Sequence, residues 1–149
     1  MTRTSTRQAA EPTLLYVMKQ LELAVRSRLD DMFRPEGMTA LQYTALTVLE
    51  RHPDLTSAQL ARNSFVTNQT MADMVTMLQS RELIERHRDP VDRRRLVLAL
   101  TVSGRQLLRK YRGKVAALEQ EMLHGLDTVE AARLREFLLT CRENLANGA

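Results

Sequence analysis

Residues 55–101, LTSAQLARNSFVTNQTMADMVTMLQSRELIERHRDPVDRRRLVLALT, decide the fold. Thr56 has the side chain of a helix N-cap, and Gln59, three residues on, completes a capping box for a short helix over 57–63 with Leu60 and Ala61 facing inward. After Ser64-Phe65-Val66, a further helix runs from Thr67 or Asn68 to Arg81. Its apolar residues Met71, Met74, Val75 and Leu78 stand at i, i+3, i+4 and i+7, the spacing of one buried helical stripe. Segments 84–88 and 96–101 then have strand character, with Leu96, Leu98 and Leu100 alternating with Val97 and Ala99, and Asp89-Pro90 opens the turn between them. Two short helices joined tightly, followed at once by a basic hairpin, form the arrangement that lays a helix in the major groove of duplex DNA.

Working outward, Leu14, Met18, Leu21, Val25, Leu29 and Met32 recur at steps of three and four residues. They mark one long amphipathic helix with Pro12 near its first turn and Arg34-Pro35-Glu36-Gly37 as its stop. Thr39 and Gln42 form a second capping box, for a helix that buries Leu41, Ala45, Leu46, Val48 and Leu49 and ends at His52-Pro53-Asp54. On the far side of the hairpin, Thr101 caps a helix carrying Leu107, Leu108, Tyr111, Val115, Leu118 and Met122 and ending around Gly125. A last helix over about 129–145 has Leu134, Phe137, Leu138, Cys141 and Leu145 on its apolar edge. No internal repeat or low-complexity block interrupts this order.

Composition agrees with that reading. A chain of 149 residues with 27% charged and 44% apolar residues suits one globular domain. Aromatics are 4% and Trp is absent, so Leu, Val, Ala and eight Met fill the core, a mix at home in helices. The formal charge of +4 and pI of 9.7 favour a polyanionic partner. One cysteine, Cys141, allows no internal disulfide and fits a reducing cytoplasm, the expected compartment. No apolar run reaches the roughly 20 residues needed to span a bilayer, so no membrane partner is expected. Residues 1–12 lack the apolar segment of a secretory signal and read as a frayed polar tail.

The first and last helices carry apolar stripes too long for the small central module to cover. Terminal helices in that position usually pack on a second copy of the chain, and a two-fold homodimer is the commonest solution. Two reading helices about 34 Å apart would match a pseudo-palindromic site. The expected fold is mainly α (α+β): a winged helix-turn-helix at 39–101, with its wing at 84–101, flanked by dimerisation helices at 13–37 and 103–147.

Certain side chains remain to meet DNA once the stripe of the reading helix is buried. Asn68 and Gln69 can bond adenine in pairs, Thr70 can touch a thymine methyl or a phosphate, and Asp73 can accept from a cytosine amino group. Thr67, at the helix N-terminus, marks a seat for a phosphate, and Thr76 and Met77 lie at the margin of the same face. In the wing, Arg93, Arg94 and Arg95 crowd the return into the second strand, and an arginine there suits the negative potential of a narrow minor groove. Arg94 is the first choice, and its two neighbours should alternate away from it. Arg86 and Arg88, on the preceding strand, suit phosphate or intramolecular contacts. The bland alternative for each is an ordinary solvated polar residue.

The order of helices and wing, together with SFVTNQTMADMVTMLQSRELIERHRDPVDRRRLVLALTVSGRQLL, resembles the MarR family of bacterial and archaeal winged-helix regulators. The segment DPVDRRRLVLALTVSG is the most specific part. The resemblance implies a dimeric repressor released from its operator by a small phenolic ligand, an oxidant or a metal. It also implies that Asp92 and Arg94 act together, the carboxylate orienting the guanidinium. By the same analogy Met32, Phe33, Met38, Tyr43 and Tyr111 line a cleft for a small aromatic or phenolic effector, although Met and Tyr at such positions are usually core. No cofactor is expected. His52, His87 and His124 lack ligand spacing, so no metal is expected, and Cys141 on an apolar edge reads as an inert small hydrophobe. An enzyme is not expected, because there is no Gly-rich phosphate loop, nucleophile motif or His/carboxylate cluster. The competing reading is a dimeric protein-interaction or ligand-binding module that does not bind DNA, which the acidic neighbours of the wing arginines and Asp73 keep open.

Overall fold

The computed structural model describes residues 10–147, so the first nine residues of the expected polar tail lie outside the described residues. The chain divides into two compact units, Met1–Leu108 and Arg109–Ala149.

In the first unit, Thr13 caps α1 (Leu14–Phe33), its hydroxyl accepting the Tyr16 N–H. A 3₁₀ turn over Arg34–Glu36 stops the helix, and Gly37 takes a left-handed conformation at φ 64°. Both capping boxes form as the spacing requires: Thr39 with Gln42 at the head of α2 (Ala40–Arg51), and Thr56 with Gln59 at the head of α3 (Ser57–Asn63). A second acceptor at α2 comes from ten residues upstream, where Asp30 Oδ1 takes the Ala40 N–H at 2.7 Å. Thr67 caps α4 (Asn68–Ser80), which settles its start at Asn68.

The wing is the antiparallel pair β1 (Ile84–Arg88) and β2 (Leu96–Leu100), with Arg86 opposite Leu98. Thr101, at the end of the wing, caps the next helix as the sequence leads one to expect. Its hydroxyl accepts the Gly104 N–H at 3.0 Å and donates to the Glu82 carbonyl at 2.5 Å, and its own N–H donates to the Leu83 carbonyl. The following helix, α5 (Val102–Met122), crosses into the second unit.

The core of the first unit holds Phe33, Ala45, Leu46, Val48, Leu49, Leu60, Met71, Val75, Leu78, Ile84, Val97 and Leu98, all essentially removed from solvent. Each large apolar side chain so buried contributes about 1.5–3 kcal/mol. Two expectations are corrected. Leu41 is exposed, because at that end of α2 the interior is filled by Met38, Ala40 and Tyr43. Leu96, Leu98 and Leu100 do not share a buried face opposed to an open one. Val97 and Leu98 are both buried while Leu96 is exposed. β2 is covered on both faces and also along its second edge, where the Leu98 N–H donates to the Leu55 carbonyl at 2.8 Å.

The second unit contains the remainder of α5 and α6 (Thr128–Asn147). Asp127 and Glu130 cap α6 reciprocally, each carboxylate accepting the other's backbone N–H. Tyr111 is buried, and Val115, Leu118 and Leu134 are half-buried. Met122, Phe137, Leu138 and Leu145 are exposed, as is Cys141, so that thiol is not the packed hydrophobe the stripe implied. Between α5 and α6 runs an open groove of about 500 Å³ walled by residues including Met122, Leu123, Leu134, Leu138 and Leu139. Among the described residues no helix is long and apolar enough to cross a membrane.

Candidate nucleic-acid interface

The site is built by the N-terminal turn of α4 and by the wing. Helix α4 buries Met71, Met74, Val75 and Leu78, as the stripe demands, and this fixes which side chains turn outward. Thr67, Asn68, Gln69, Thr70 and Asp73 are all exposed, as is Thr76, whereas Met77 is half-buried. Thr67 Oγ1 accepts the Thr70 N–H at 3.1 Å and lies 3.0 Å from Thr70 Oγ1, so two of the five side chains are held by the cap itself. Gln69 Nε2 donates to Asp73 Oδ1 at 3.3 Å, a bond along one helical face that orients the carboxamide.

The wing turn is rigidified by its own aspartates. Asp89 Oδ1 accepts the Val91 N–H at 2.9 Å, and Asp92 Oδ1 accepts the Arg94 N–H at 3.1 Å, side-chain bonds that replace missing ladder partners. The Asp89 N–H donates to the Arg95 carbonyl, and Arg88 Nη1 donates to the Arg93 carbonyl. The three consecutive arginines are not equivalent. Arg94 extends into solvent, its side chain 95% exposed, with its Nε 3.5 Å from Asp92 Oδ1. Arg95 folds back, donating to Gln59 Oε1 at 3.1 Å and lying 4.0 Å from Asp89 Oδ2. Arg93 is exposed, as is Arg86 on β1. The expected pairing of Asp92 with Arg94 is present as a contact, and Arg95 is the neighbour that pairs inside the module.

Three ties fasten the wing to the helix-turn-helix: the Arg95–Gln59 bond, the Leu98–Leu55 backbone bond, and His87 Nε2 at 2.8 Å from Asp54 Oδ1. Charge counting in the sequence did not reveal them, because each joins residues more than thirty positions apart. They hold the arginine turn against the helix-turn-helix, with exposed positive charge on the turn and exposed hydrogen-bonding groups at the polar end of α4.

The residues expected to line an effector cleft divide between the units. Phe33, Met38 and Tyr43 are buried in the first, Met32 is half-buried there, and the Phe33 and Tyr43 rings stack with centroids 4.3 Å apart. Tyr111 belongs to the second, with Lys110 and Lys114 ammonium groups 5.6 and 5.3 Å from its ring centre. None of the five lines the groove between α5 and α6.

Residues 36–95 match the MarR family model, a span that covers α2 through the wing turn. The HTH-type transcriptional repressor Rv2887 of Mycobacterium tuberculosis is 29% identical over 129 residues, 87% of this chain and 91% of the relative. A MarR family transcriptional regulator from Silicibacter pomeroyi superposes with a TM-score of 0.85 over 90% of both chains at 20% identity, which speaks to the fold. The transcriptional repressor CouR, solved bound to a 23-mer DNA duplex, is similar at a TM-score of 0.75 and 26% identity, covering 87% of this chain and 92% of that one.

Proposed function

We infer that the chain belongs to the MarR family, whose members are transcriptional regulators and not enzymes, and from that premise we propose that it is a homodimeric repressor that reads a pseudo-palindromic operator. The observation that carries the reading is the rigid pairing of two exposed surfaces. The polar first turns of α4 present Asn68, Gln69 and Thr70, and the wing beside them presents Arg94. In a duplex complex, α4 enters the major groove with Asn68, Gln69 and Thr70 toward base edges, while Asp73 holds Gln69 in register. Thr67 and the free amides of the first turn hold a phosphate. Arg94, oriented by Asp92, enters the flanking minor groove, and Arg86 and Arg93 face phosphates. Arg95 stabilises the wing from within.

Dimerisation rests on the apolar surface left open at both ends of the chain: Leu14, Leu15, Val17 and Leu21 on α1, and Phe137, Leu138 and Leu145 on α6. Relief by a small aromatic or phenolic effector completes the proposal, with Met32, Phe33, Met38 and Tyr43 as the lining offered by the first unit.

Replacing the exposed arginine tests the reading. Arg94→Ala weakens binding to a duplex selected from a random pool by about 1–3 kcal/mol and leaves the dimer intact. A titration at fixed salt that finds the variant equal to the parent refutes the assigned role. A parent protein whose binding does not fall with rising salt, against the counterion release that DNA binding entails, favours a protein-interaction module instead.

A further inference from the structure

The turn between α3 and α4 is closed in the manner of a helix C-terminus, with the Ser64 N–H donating to the Leu60 carbonyl at 2.9 Å and the Val66 N–H to the Ala61 carbonyl at 3.1 Å. That six-residue closure requires a left-handed residue between Ser64 and Val66, the position glycine normally fills. Phe65 occupies it, at φ 60°. A side chain with a Cβ is unfavourable there, and an aromatic one gains nothing in return from the fold, since Phe65 is 84% exposed. Its neighbours in the turn are the buried Ser64 and the half-buried Val66, and Phe65 alone of the three points out of the module. Phe65 stands two residues before the cap Thr67, next to the end of α4 that carries Asn68, Gln69 and Thr70.

We propose that Phe65 is a specificity-determining residue: its ring packs on the C5-methyl of a thymine at the edge of each operator half-site. This rests on the DNA-binding reading above. The chemistry is apolar. In the major groove thymine is the base that presents a methyl group, and an aromatic ring adjacent to the reading helix recognises it by contact and exclusion of water. The left-handed backbone is what projects the ring outward from the turn instead of folding it into the core.

A second non-glycine residue in the same conformation provides an internal control. Glu82, at φ 59°, closes the far end of α4, about 20 Å along the helix from Thr67. Phe65→Gly and Glu82→Gly relieve the same backbone strain, so both full-length variants melt at or a few degrees above the parent. Only Phe65→Gly loses affinity, by about tenfold, for the duplex the parent selects from a random pool. Replacing thymines singly by uracil, which removes only the methyl, weakens the parent severalfold at one position per half-site and leaves Phe65→Gly unaffected at that position.

Equal binding by Phe65→Gly and the parent overturns the proposal. So does an affinity loss that is the same on thymine and uracil duplexes, which would assign the ring to sugar or phosphate. Should Phe65→Gly melt below the parent, Phe65→Asn, which tolerates the left-handed conformation, decides by the same uracil comparison. A parent that binds no duplex at low salt brings down the DNA-binding reading itself, and it does so before any variant is compared.

Discussion

The centre of the chain and its two ends use the same residue types to opposite effect. In the module from α2 to β2, Leu, Val and Met are buried against one another, and the polar residues of α4 and the wing turn outward. Along the outer part of α1 and in α6 it is the apolar side chains that meet solvent, with Leu14 82% and Leu145 80% exposed in the single chain. An amphipathic helix whose apolar stripe stays open within its own chain has its partner elsewhere. The contrast teaches that the central module is packed by its own residues, whereas the terminal helices keep apolar surface open that the proposed dimer would cover.

That contrast can be broken most severely at the ends. In Leu138→Asp/Leu145→Asp each change is duplicated by two-fold symmetry, and it sets unpaired carboxylates in the proposed interface. The expected result is a dimer weakened by a hundredfold or more, seen as a single-chain mass by light scattering, with the circular dichroism of the central module retained. An unchanged dimer would show that α6 is not the contact. In the centre, the corresponding point of vulnerability is Gly104, where a Cβ would overlap the Leu83 carbonyl oxygen. Gly104→Ala destabilises by about 3 kcal/mol in denaturant unfolding, because the start of α5 must move off the carbonyl that accepts the Thr101 N–H. The smallest effect is expected at Ser64, which is buried with its hydroxyl unpartnered among the described residues. Ser64→Ala removes that desolvated group and leaves stability unchanged or raised by up to about 1 kcal/mol. A clear loss would mean that the hydroxyl has a partner in solution.

Much of the central module is legible in the sequence because its signals are local. Thr39, Thr56, Thr67 and Thr101 each cap the helix that follows, and each accepts the N–H three residues on as the spacing alone implies. The stripe of α4 is legible for the same reason, since burial with a helical period leaves a readable trace, and it is that stripe which exposes Asn68, Gln69 and Thr70. Features that depend on distant partners are not legible. The second edge of β2 is closed by Leu55, and Asp30 completes the head of α2 from within α1. Arg93, Arg94 and Arg95 are chemically identical in the sequence and separate only when the fold brings Gln59 beside one of them. Phe65 is not marked out in the sequence, which shows neither a backbone dihedral nor the exposure of a ring.

Gln59 performs two tasks with one oxygen atom. Its Oε1 accepts the Thr56 N–H at 2.9 Å, which begins α3, and also a guanidinium N–H of Arg95 at 3.1 Å, which anchors the hairpin. Unwinding the first turn of α3 therefore slackens the hairpin in the same motion, and lifting the hairpin withdraws support from that turn. In the proposed DNA complex this one carboxamide would couple the helix-turn-helix to the wing, alongside the Leu98–Leu55 and His87–Asp54 ties, so that a disturbance at either element is felt at the other.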